Sequence, residues 1–385
     1  MRRDRPAGLG RWAVALVAGA LLLSACTGGG QSTPGPSRHT RGPSPNGSLL
    51  IALGEEFSGL ALLPLGTPGG PEPVELTGTV LGRFDVIAGA TLQDDGTAYA
   101  LVTKVEGNQG FRLHEVGSQL FELRQGQQPR KLGPPLGPGL ATLVGVAGGR
   151  AVVSSCGDRD QPSSVLALDL ATGDAAGTWR PVVRACQATL SPDATDVAFV
   201  RDTPQGPSIW RVSLDRPSPP VRLAGPDVIQ PLERSGIGRP DVFDLAWGEG
   251  GVAAAVADRR EDVSRSGLVV LPDGGPPRVI PLGSGSPQDL AWQPGGTLLA
   301  VTECSRCAQF FRGVPQGELF VFDAAGGRLG EIAASREFFQ GLAWSPDGSL
   351  LATEPSRGDL ALLDTSGREV LRLATDGAPL DWGTG

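Results

Sequence analysis

Few side chains in this 385-residue sequence have the chemistry for catalysis or metal binding. It contains two His, one Tyr and one Met, so the five Cys are its main reactive groups. Catalytic sites usually depend on His, Cys, Tyr or paired carboxylates as nucleophiles, acids and bases. We therefore predict no catalytic residue, no cofactor and no resident metal ion.

The first of the five cysteines ends a segment that is typical of export. Four arginines precede an apolar run at residues 12–23, which is shorter than the ~20 residues of a membrane-spanning helix. The run ends in Leu23-Ser24-Ala25-Cys26, which resembles the lipobox of bacterial lipoproteins. The resemblance implies cleavage before Cys26 and lipidation of its thiol. We therefore predict a signal peptide at 1–25 and an extracytoplasmic protein, lipid-anchored to the cell membrane.

The other four cysteines form two pairs by position. Cys156 and Cys186 are expected at one end of neighbouring sheets, and Cys304 and Cys307 form a C-x-x-C motif. In an exported protein both pairs indicate disulfides. A redox role for the C-x-x-C pair and a zinc site built from all four remain the alternatives.

Two carboxylates are the remaining candidates for chemistry. Asp244 and Asp289 each lie three residues before a tryptophan in a repeated motif. If the motif forms the inner strand of a ring, both face the mouth of its central channel. There they would either hold a cation or accept hydrogen bonds from the backbone of a neighbouring sheet.

Composition limits the elements that position these residues. The sequence has 57 Gly and 34 Pro, which break helix interiors, and 40% of its residues are apolar. This favours many short strands joined by turns over long helices. The net charge of −8 argues against a nucleic acid partner. Residues 26–45 are rich in Gly, Ser, Thr and Pro, so we predict a flexible linker there and a folded domain at 46–385.

An internal repeat fills the folded domain. The clearest copies are GLAWSPDGSLLAT (341–353), DLAWQPGGTLLAVT (289–302) and DLAWGEGGVAAAV (244–256). Each predicts a strand, a tight turn and a second strand, because Pro and Gly suit successive positions of a β-turn. A second predicted hairpin follows each copy, which makes four strands (A to D) per unit. The unit spacing of 45 and 52 residues between tryptophans is typical of propeller blades.

The two ends of the domain complete one unit. Residues 378–382 have the pattern of a strand A with nothing after it, and residues 44–53 have that of the following turn and strand B. We therefore predict an all-β, seven-bladed β-propeller of four-stranded blades, whose ring is closed by the C-terminal strand joining the first blade. Six blades are the alternative, because the third copy is faint.

The Ser-Pro-Asp-Gly turn after the tryptophan at 344–348 resembles the repeats of TolB-type, WD40-like propellers. The resemblance implies the fold but no particular activity or partner. In such a ring the B–C and D–A connections emerge on one face, which we call the top face.

Long top-face loops are predicted at 103–117, 225–242, 257–266 and 302–316. The first holds His114, and the last holds Arg306, Phe310, Phe311 and Arg312. Aromatic residues beside arginine are typical of binding surfaces. We therefore expect a lipid-anchored binding or scaffold module for a protein, peptide or glycan of the cell envelope. A propeller hydrolase or dehydrogenase with channel-mouth carboxylates is the alternative.

Overall fold

The computed structural model describes seven four-stranded antiparallel sheets and almost no helix. It describes residues 46–53, 59–66, 72–77, 85–107, 113–137, 140–156, 164–179, 187–215, 218–229, 232, 240–258, 266–283, 285–304, 317–323, 327–335, 340–356, 359–375 and 377–383. The predicted signal peptide, Cys26 and the linker lie outside these residues.

Blades 1 to 4 are built from residues 47–224 and the last strand of the chain, with strands given in the order A to D. Blade 1 contains β28 (Gly377–Gly383), β1 (Gly47–Leu53), β2 (Gly59–Leu65) and β3 (Val74–Glu75). Blade 2 contains β4 (Val86–Leu92), β5 (Ala98–Gly107), β6 (Leu113–Leu123) and β7 (Arg130–Leu136). Blade 3 contains β8 (Leu140–Ala147), β9 (Arg150–Cys156), β10 (Ser164–Asp169) and β11 (Ala175–Trp179). Blade 4 contains β12 (Ala188–Leu190), β13 (Asp196–Thr203), β14 (Gly206–Ser213) and β15 (Val221–Ala224).

Three sheets come from the C-terminal half, after the short helix α1 (Pro226–Ile229). Blade 5 contains β16 (Pro240–Gly248), β17 (Gly251–Asp258), β18 (Ser266–Leu271) and β19 (Arg278–Gly283). Blade 6 contains β20 (Ser286–Trp292), β21 (Leu298–Cys304), β22 (Gly317–Asp323) and β23 (Arg328–Ser335). Blade 7 contains β24 (Gln340–Trp344), β25 (Leu350–Ser356), β26 (Asp359–Asp364) and β27 (Glu369–Ala374).

The ring is closed as the sequence predicts. The last strand, β28, pairs antiparallel with β1, so blade 1 takes its innermost strand from the C-terminus. The described blades number seven, which confirms the prediction over its six-bladed alternative. Closure leaves no blade without a neighbour on either side.

The core consists of seven apolar layers, each lying between two consecutive blades. In blade 7, Leu342 and Trp344 pack towards blade 6, whereas Ala343 packs towards blade 1. Successive residues of a strand point to opposite faces, so the alternation of large and small residues in the repeat serves two different layers. The layers bury most of the Val, Ile and Leu of the central strands.

The prediction of a long loop at 103–117 is wrong. Strands β5 and β6 continue as a hairpin in which Glu106 pairs with His114, and only residues 108–112 lie outside the description. The polar residues and glycines of this segment led to the prediction of a loop. Their backbone N–H and C=O groups nevertheless pair between β5 and β6 as in the rest of the sheet. The predicted loop at 225–242 likewise includes α1 and the first residues of β16.

Candidate functional site

The A strands of the seven blades surround the axis of the ring. Each A strand contacts the A strand of the next blade, in the order β28, β4, β8, β12, β16, β20, β24 and back to β28. The two candidate carboxylates, Asp244 on β16 and Asp289 on β20, therefore both lie beside one central channel.

Most A strands contain a β-bulge, in which the A strand has one residue more than its partner. Bulges occur in six of the seven described A strands, and the exception is the three-residue β12. A bulge increases the local twist and redirects the side chains beside it. In blade 5 it places Phe243 opposite no residue, directly before Asp244.

Asp244 and Asp289 connect consecutive blades along the channel. Asp244 Oδ2 accepts a hydrogen bond from Leu290 N of blade 6 (3.1 Å), and its Oδ1 accepts one from Leu245 N (2.8 Å). Asp289 Oδ2 accepts a hydrogen bond from Gly341 N of blade 7 (3.2 Å). Both carboxylates thus adopt the second of the two predicted roles, as acceptors for the backbone of the neighbouring blade.

Asp381 connects blades 1 and 2 in the same way, and the sequence did not single it out. Its Oδ2 accepts hydrogen bonds from Thr91 Oγ1 (2.7 Å) and Leu92 N (2.8 Å), and its Oδ1 accepts one from Trp382 N (2.8 Å). The sequence contained a signal, since an aspartate also precedes the tryptophan of two other A strands. Its spacing differs, because Asp381 directly precedes Trp382.

The tryptophans of the repeat add a second connection between blades. Trp344 Nε1 donates to Ala291 O of blade 6 (3.0 Å), and Trp292 Nε1 donates to Ala246 O of blade 5 (3.3 Å). Trp247 packs against the layer between blades 4 and 5 and, among the described residues, its indole N–H has no such partner. Each of the two bonded tryptophans therefore ties its blade to the preceding one, and Trp292 does so three residues after Asp289.

Burial changes the pKa of both channel carboxylates, and the charge of Asp289 adds to this effect at Asp244. Each side chain keeps some exposed area, but the surrounding protein separates it from bulk water. This desolvation, together with the charge of Asp289, raises the pKa of Asp244 to about 7, although two backbone N–H groups oppose the shift. Desolvation also raises the pKa of Asp289.

A buried glutamate lies between blades 5 and 6, near the top face. Glu303 is 4% exposed, and its Oε1 accepts a hydrogen bond from Ser266 Oγ (2.6 Å). Burial raises the pKa of Glu303. The sequence analysis missed this residue, because a single Glu inside a predicted strand has no spacing signal.

Exposed hydrophobic side chains are few among the described residues. The two large ones are Phe243, 40% exposed in the upper half of β16, and Val221, 54% exposed on the outermost strand of blade 4. Phe243 stands beside Asp244 on an innermost strand. An exposed aromatic residue at the channel is a candidate contact for a partner.

Comparison with known proteins supports the fold. No protein-family model and no curated protein matches the sequence. A 6-phosphogluconolactonase candidate from Bacteroides uniformis is similar in structure, with 14% identity, a TM-score of 0.54, and 86% of this chain and 97% of that chain covered. The β-propeller domain of Cps50 (Swd1) from Myceliophteria thermophila has 15% identity, a TM-score of 0.50, and coverage of 78% and 88%.

The likeness is one of fold. TolB from Acinetobacter baumannii is also among the similar structures, with 16% identity, a TM-score of 0.41, and coverage of 73% of this chain and 66% of that chain. The two structures above support the expected β-propeller architecture. At these identities the relatives give no activity to this chain.

The cysteine predictions are tested only in part. Cys156 ends strand B of blade 3, as predicted, but Cys186 lies outside the described residues, so this pairing stays a prediction. Cys304 ends strand B of blade 6, is 1% exposed and is disulfide-bonded. Its predicted partner Cys307 lies outside the described residues.

The loop predicted at 302–316 begins with residues that the structure assigns to β21, up to Cys304. The rest of it, with Arg306, Phe310, Phe311 and Arg312, lies outside the described residues. Within the part that the structure describes, no three His, Cys, Asp or Glu side chains are grouped in a way that could hold a metal ion. No helix of the described part is long and apolar enough to cross a membrane.

The raised pKa of Asp244 predicts a pH-dependent stability. Because the folded-state pKa exceeds the unfolded value of 3.8, folding favours the protonated form. The contribution of Asp244 to the free energy of unfolding is complete below about pH 4 and is lost as the pH rises through about 7. For one group, this loss is at most about 1.4 kcal/mol per pH unit. We expect the free energy of unfolding, measured in urea, to fall between about pH 5 and 7.5, and to fall less steeply in Asp244→Asn.

Asp347→Asn is the matched control. The hydroxyl of Ser345 and the N–H of Ser349 lower the pKa of Asp347, so its titration affects stability only below about pH 4. The slope between about pH 5 and 7.5 should match that of the native protein. Equal slopes in the native protein and Asp244→Asn would contradict the assignment.

Proposed function

We propose that this protein is an extracytoplasmic lipoprotein whose propeller binds a protein, peptide or glycan partner with its top face. The lipobox-like sequence before Cys26 supports the membrane anchor. The propeller architecture supports the binding role, because this fold presents one face of loops around a channel.

The observation that carries the binding role is the exposed Phe243 beside the channel. Burying an aromatic side chain is a large favourable contribution to association, and such residues are enriched at the centres of interfaces. The predicted top-face loop at 302–316 would add Phe310, Phe311 and Arg312 to the same surface. The predicted Cys156–Cys186 and Cys304–Cys307 disulfides would hold the connections of this face in an oxidising compartment.

We propose a structural rather than a catalytic role for the channel carboxylates. Both oxygens of Asp244 accept backbone hydrogen bonds, and Asp289 holds the N–H of Gly341. A general acid or base must release such a partner before it reaches a substrate. The enzymatic alternative predicts instead that Asp289→Asn abolishes turnover without changing the melting temperature.

Photo-crosslinking in intact cells tests the proposal. A benzoylphenylalanine placed at Phe243 should give a crosslinked species, whereas one at Val221 should not, because Val221 is more exposed than Phe243 but lies on the outer rim. The 243 crosslink should weaken when Phe310, Phe311 and Arg312 are replaced by alanine, at an unchanged melting temperature. Each such anchor typically contributes ~2 kcal/mol or more.

Cell fractionation tests the anchor in the same strains. Replacing Cys26 by alanine should move the protein from the membrane to the soluble fraction, because the lipid provides the attachment. Equal crosslinking from 221 and 243 would contradict top-face binding. A membrane-bound Cys26→Ala protein would contradict lipid anchoring.

A further inference from the structure

One tryptophan of the repeat differs from its counterparts in how its indole N–H is used. Trp292, Trp344 and Trp382 each donate this N–H to a backbone carbonyl. Trp247, at the equivalent position of blade 5, has no acceptor among the described residues. The side chain is only half-buried, and its Nε1 is not among the atoms that are both buried and unpaired. The N–H of Trp247 is therefore open to an incoming acceptor.

Trp247 lines a cavity of about 240 Å³ between blades 4 and 5. This cavity lies on the bottom face, opposite the top face, because Trp247 is the second-last residue of β16 and the C–D turn of blade 5 forms one wall. Apolar side chains of both blades form the other walls: Leu223, Val252, Leu271, Pro272 and Pro277. The cavity is smaller than the ~300–1,000 Å³ of sites for drug-sized ligands. Its volume suits one or two side chains of a peptide.

The cavity offers a second open donor besides Trp247. Arg211 lines it from blade 4 and makes no hydrogen bond with a described residue, and its charge acts only at longer range on Asp196. None of its nitrogens is buried and unpaired. A proline has no N–H, so a proline-rich segment brings apolar rings and carbonyl acceptors without donors of its own. The cavity therefore matches a proline-rich segment, as aromatic-lined grooves do in other proteins.

The chain contains such a segment just before the first described residue. Residues 27–45 include two Pro-x-Pro sequences, Pro34-Gly35-Pro36 and Pro43-Ser44-Pro45. The description begins at Asn46, whose carbonyl accepts the Trp382 N–H at the bottom of blade 1 (3.0 Å). Residues 27–45 therefore join the propeller on the face that contains the cavity.

Distance selects the first of the two Pro-x-Pro sequences. Blade 5 is three blades from blade 1 in a ring of seven, so the cavity lies nearly across the channel from Asn46. With sheets ~10 Å apart, this distance is roughly 20–30 Å. A proline-rich chain rises ~3.1 Å per residue, so Pro36 can lie about 30 Å from Asn46. Pro43 and Pro45 can lie no more than about 10 Å away, which is too short.

Charge favours a path across the bottom mouth of the channel. Residues 27–45 contain Arg38 and Arg41 and no acidic residue. The described A–B turns, which surround this mouth, contain no Lys or Arg but five acidic residues: Asp94, Asp95, Asp193, Glu249 and Asp347. Glu249 is exposed on the A–B turn of blade 5, between the cavity and the channel. A segment that runs from the cavity to blade 1 carries Arg38 past Glu249.

We propose that the cavity between blades 4 and 5 binds the chain's own Pro34-Gly35-Pro36 segment. The proline rings pack against the apolar walls, and carbonyls of the segment accept the N–H groups of Trp247 and Arg211. This inference goes beyond the proposed function, since it concerns the face opposite the proposed partner site. With Cys26 anchored as proposed, the docked segment keeps the bottom face towards the membrane and the top face outwards.

The indole signal of Trp247 tests docking in the full chain with ¹⁵N-labelled tryptophan. Trp247→Phe identifies the signal by its loss. Pro34→Ala/Pro36→Ala should shift it and raise its exchange rate with water about threefold or more, because a short tether holds its segment at an effective concentration of millimolar order. Pro43→Ala/Pro45→Ala is the matched control, since it removes the same residue types from the same linker but should leave the signal unchanged.

Trypsin cleavage after Arg38 and Arg41 is a second measurement, in which Trp247 itself can be changed. Trp247→Phe keeps an aromatic ring and removes the N–H, so cleavage should become faster at an unchanged melting temperature. Glu249→Gln should have a smaller effect of the same sign that disappears at high salt, because exposed ion pairs are weak and screened.

The outcomes separate the possible occupants. A Trp247 signal that ignores Pro34→Ala/Pro36→Ala, or that responds equally to both proline pairs, would overturn the proposal. A signal that shifts only with an added peptide of residues 27–46 would assign the cavity to an external proline-rich peptide instead. Protection that weakens on dilution would assign it to the linker of a second copy. Crosslinking from position 243 tests the top face separately, so either proposal can fail alone.

Discussion

Deleting residues 377–385 is expected to leave a protein that aggregates or has no cooperative thermal transition. The deletion removes β28, which pairs with β1 from Ser48–Gly383 to Leu53–Gly377. It uncovers the edge of β1, where Leu49, Leu50 and Ile51 are completely buried. An exposed, apolar strand edge is a template for aggregation.

The expected cost exceeds the stability of an ordinary domain. Loss of the buried Trp382 alone corresponds to about 3–5 kcal/mol, and the Asp381 bonds to blade 2 are lost with it. Exposure of β1 adds to both, against a total stability of about 5–15 kcal/mol. Calorimetry and size-exclusion chromatography measure the outcome.

A deletion of residues 384–385 alone is the control, since these residues follow the last described strand. It should melt like the native protein. Adding a synthetic peptide of residues 377–385 to the longer deletion should restore part of the transition if the missing strand is the cause. A 377–385 deletion that melts like the native protein would refute closure by β28.

The architecture could be predicted because its signals are local and repeated. A Pro-Asp-Gly or Pro-Gly-Gly turn after a tryptophan recurs along the chain, and the incomplete units at the two ends of the domain combine into one complete unit.

The register of strand pairing at the closure could not be predicted to the residue. When the repeats are aligned by sequence, Leu49 corresponds to Leu350. In blade 7, however, Trp344 pairs with Leu351, whereas in blade 1 the equivalent Trp382 pairs with Leu49. The strand pairing at the closure is therefore shifted by one residue relative to blade 7. No covalent turn joins β28 to β1, so the turn length does not constrain this pair.

The details of the channel had weaker signals in the sequence. The bulges contain Phe243, Gly341 and other residues of no common type, because a bulge depends on backbone pairing across two strands. Asp244 and Asp289 were identified as channel residues from their spacing, but their hydrogen-bond partners depend on how blades twist past each other.

Gly341→Ala is expected to be the most destabilising single-methyl substitution at the closure. Gly341 lies in the bulge of β24 with φ 65°, and a Cβ built there would lie 2.0 Å from Pro379 O on β28. A side chain at positive φ costs about 1–2 kcal/mol, and overpacking adds typically 1–3 kcal/mol. We therefore expect a loss of about 2–5 kcal/mol in urea unfolding.

Gly295→Ala separates the two contributions. Gly295 has φ 59°, close to that of Gly341, but a Cβ built there has no atom within 4 Å. Its substitution should cost only the backbone strain, about 1–2 kcal/mol. Equal losses in the two variants would mean that contact with β28 contributes nothing.

The clash at Gly341 acts on two connections between blades, because the same residue donates its N–H to Asp289 Oδ2. Moving the backbone away from Pro379 to admit a methyl group should lengthen that bond as well. Asp289→Asn combined with Gly341→Ala should therefore cost less than the sum of the separate changes, by about 0.5 kcal/mol or more. Strictly additive losses would show that closure of the ring and the Asp289 connection are independent.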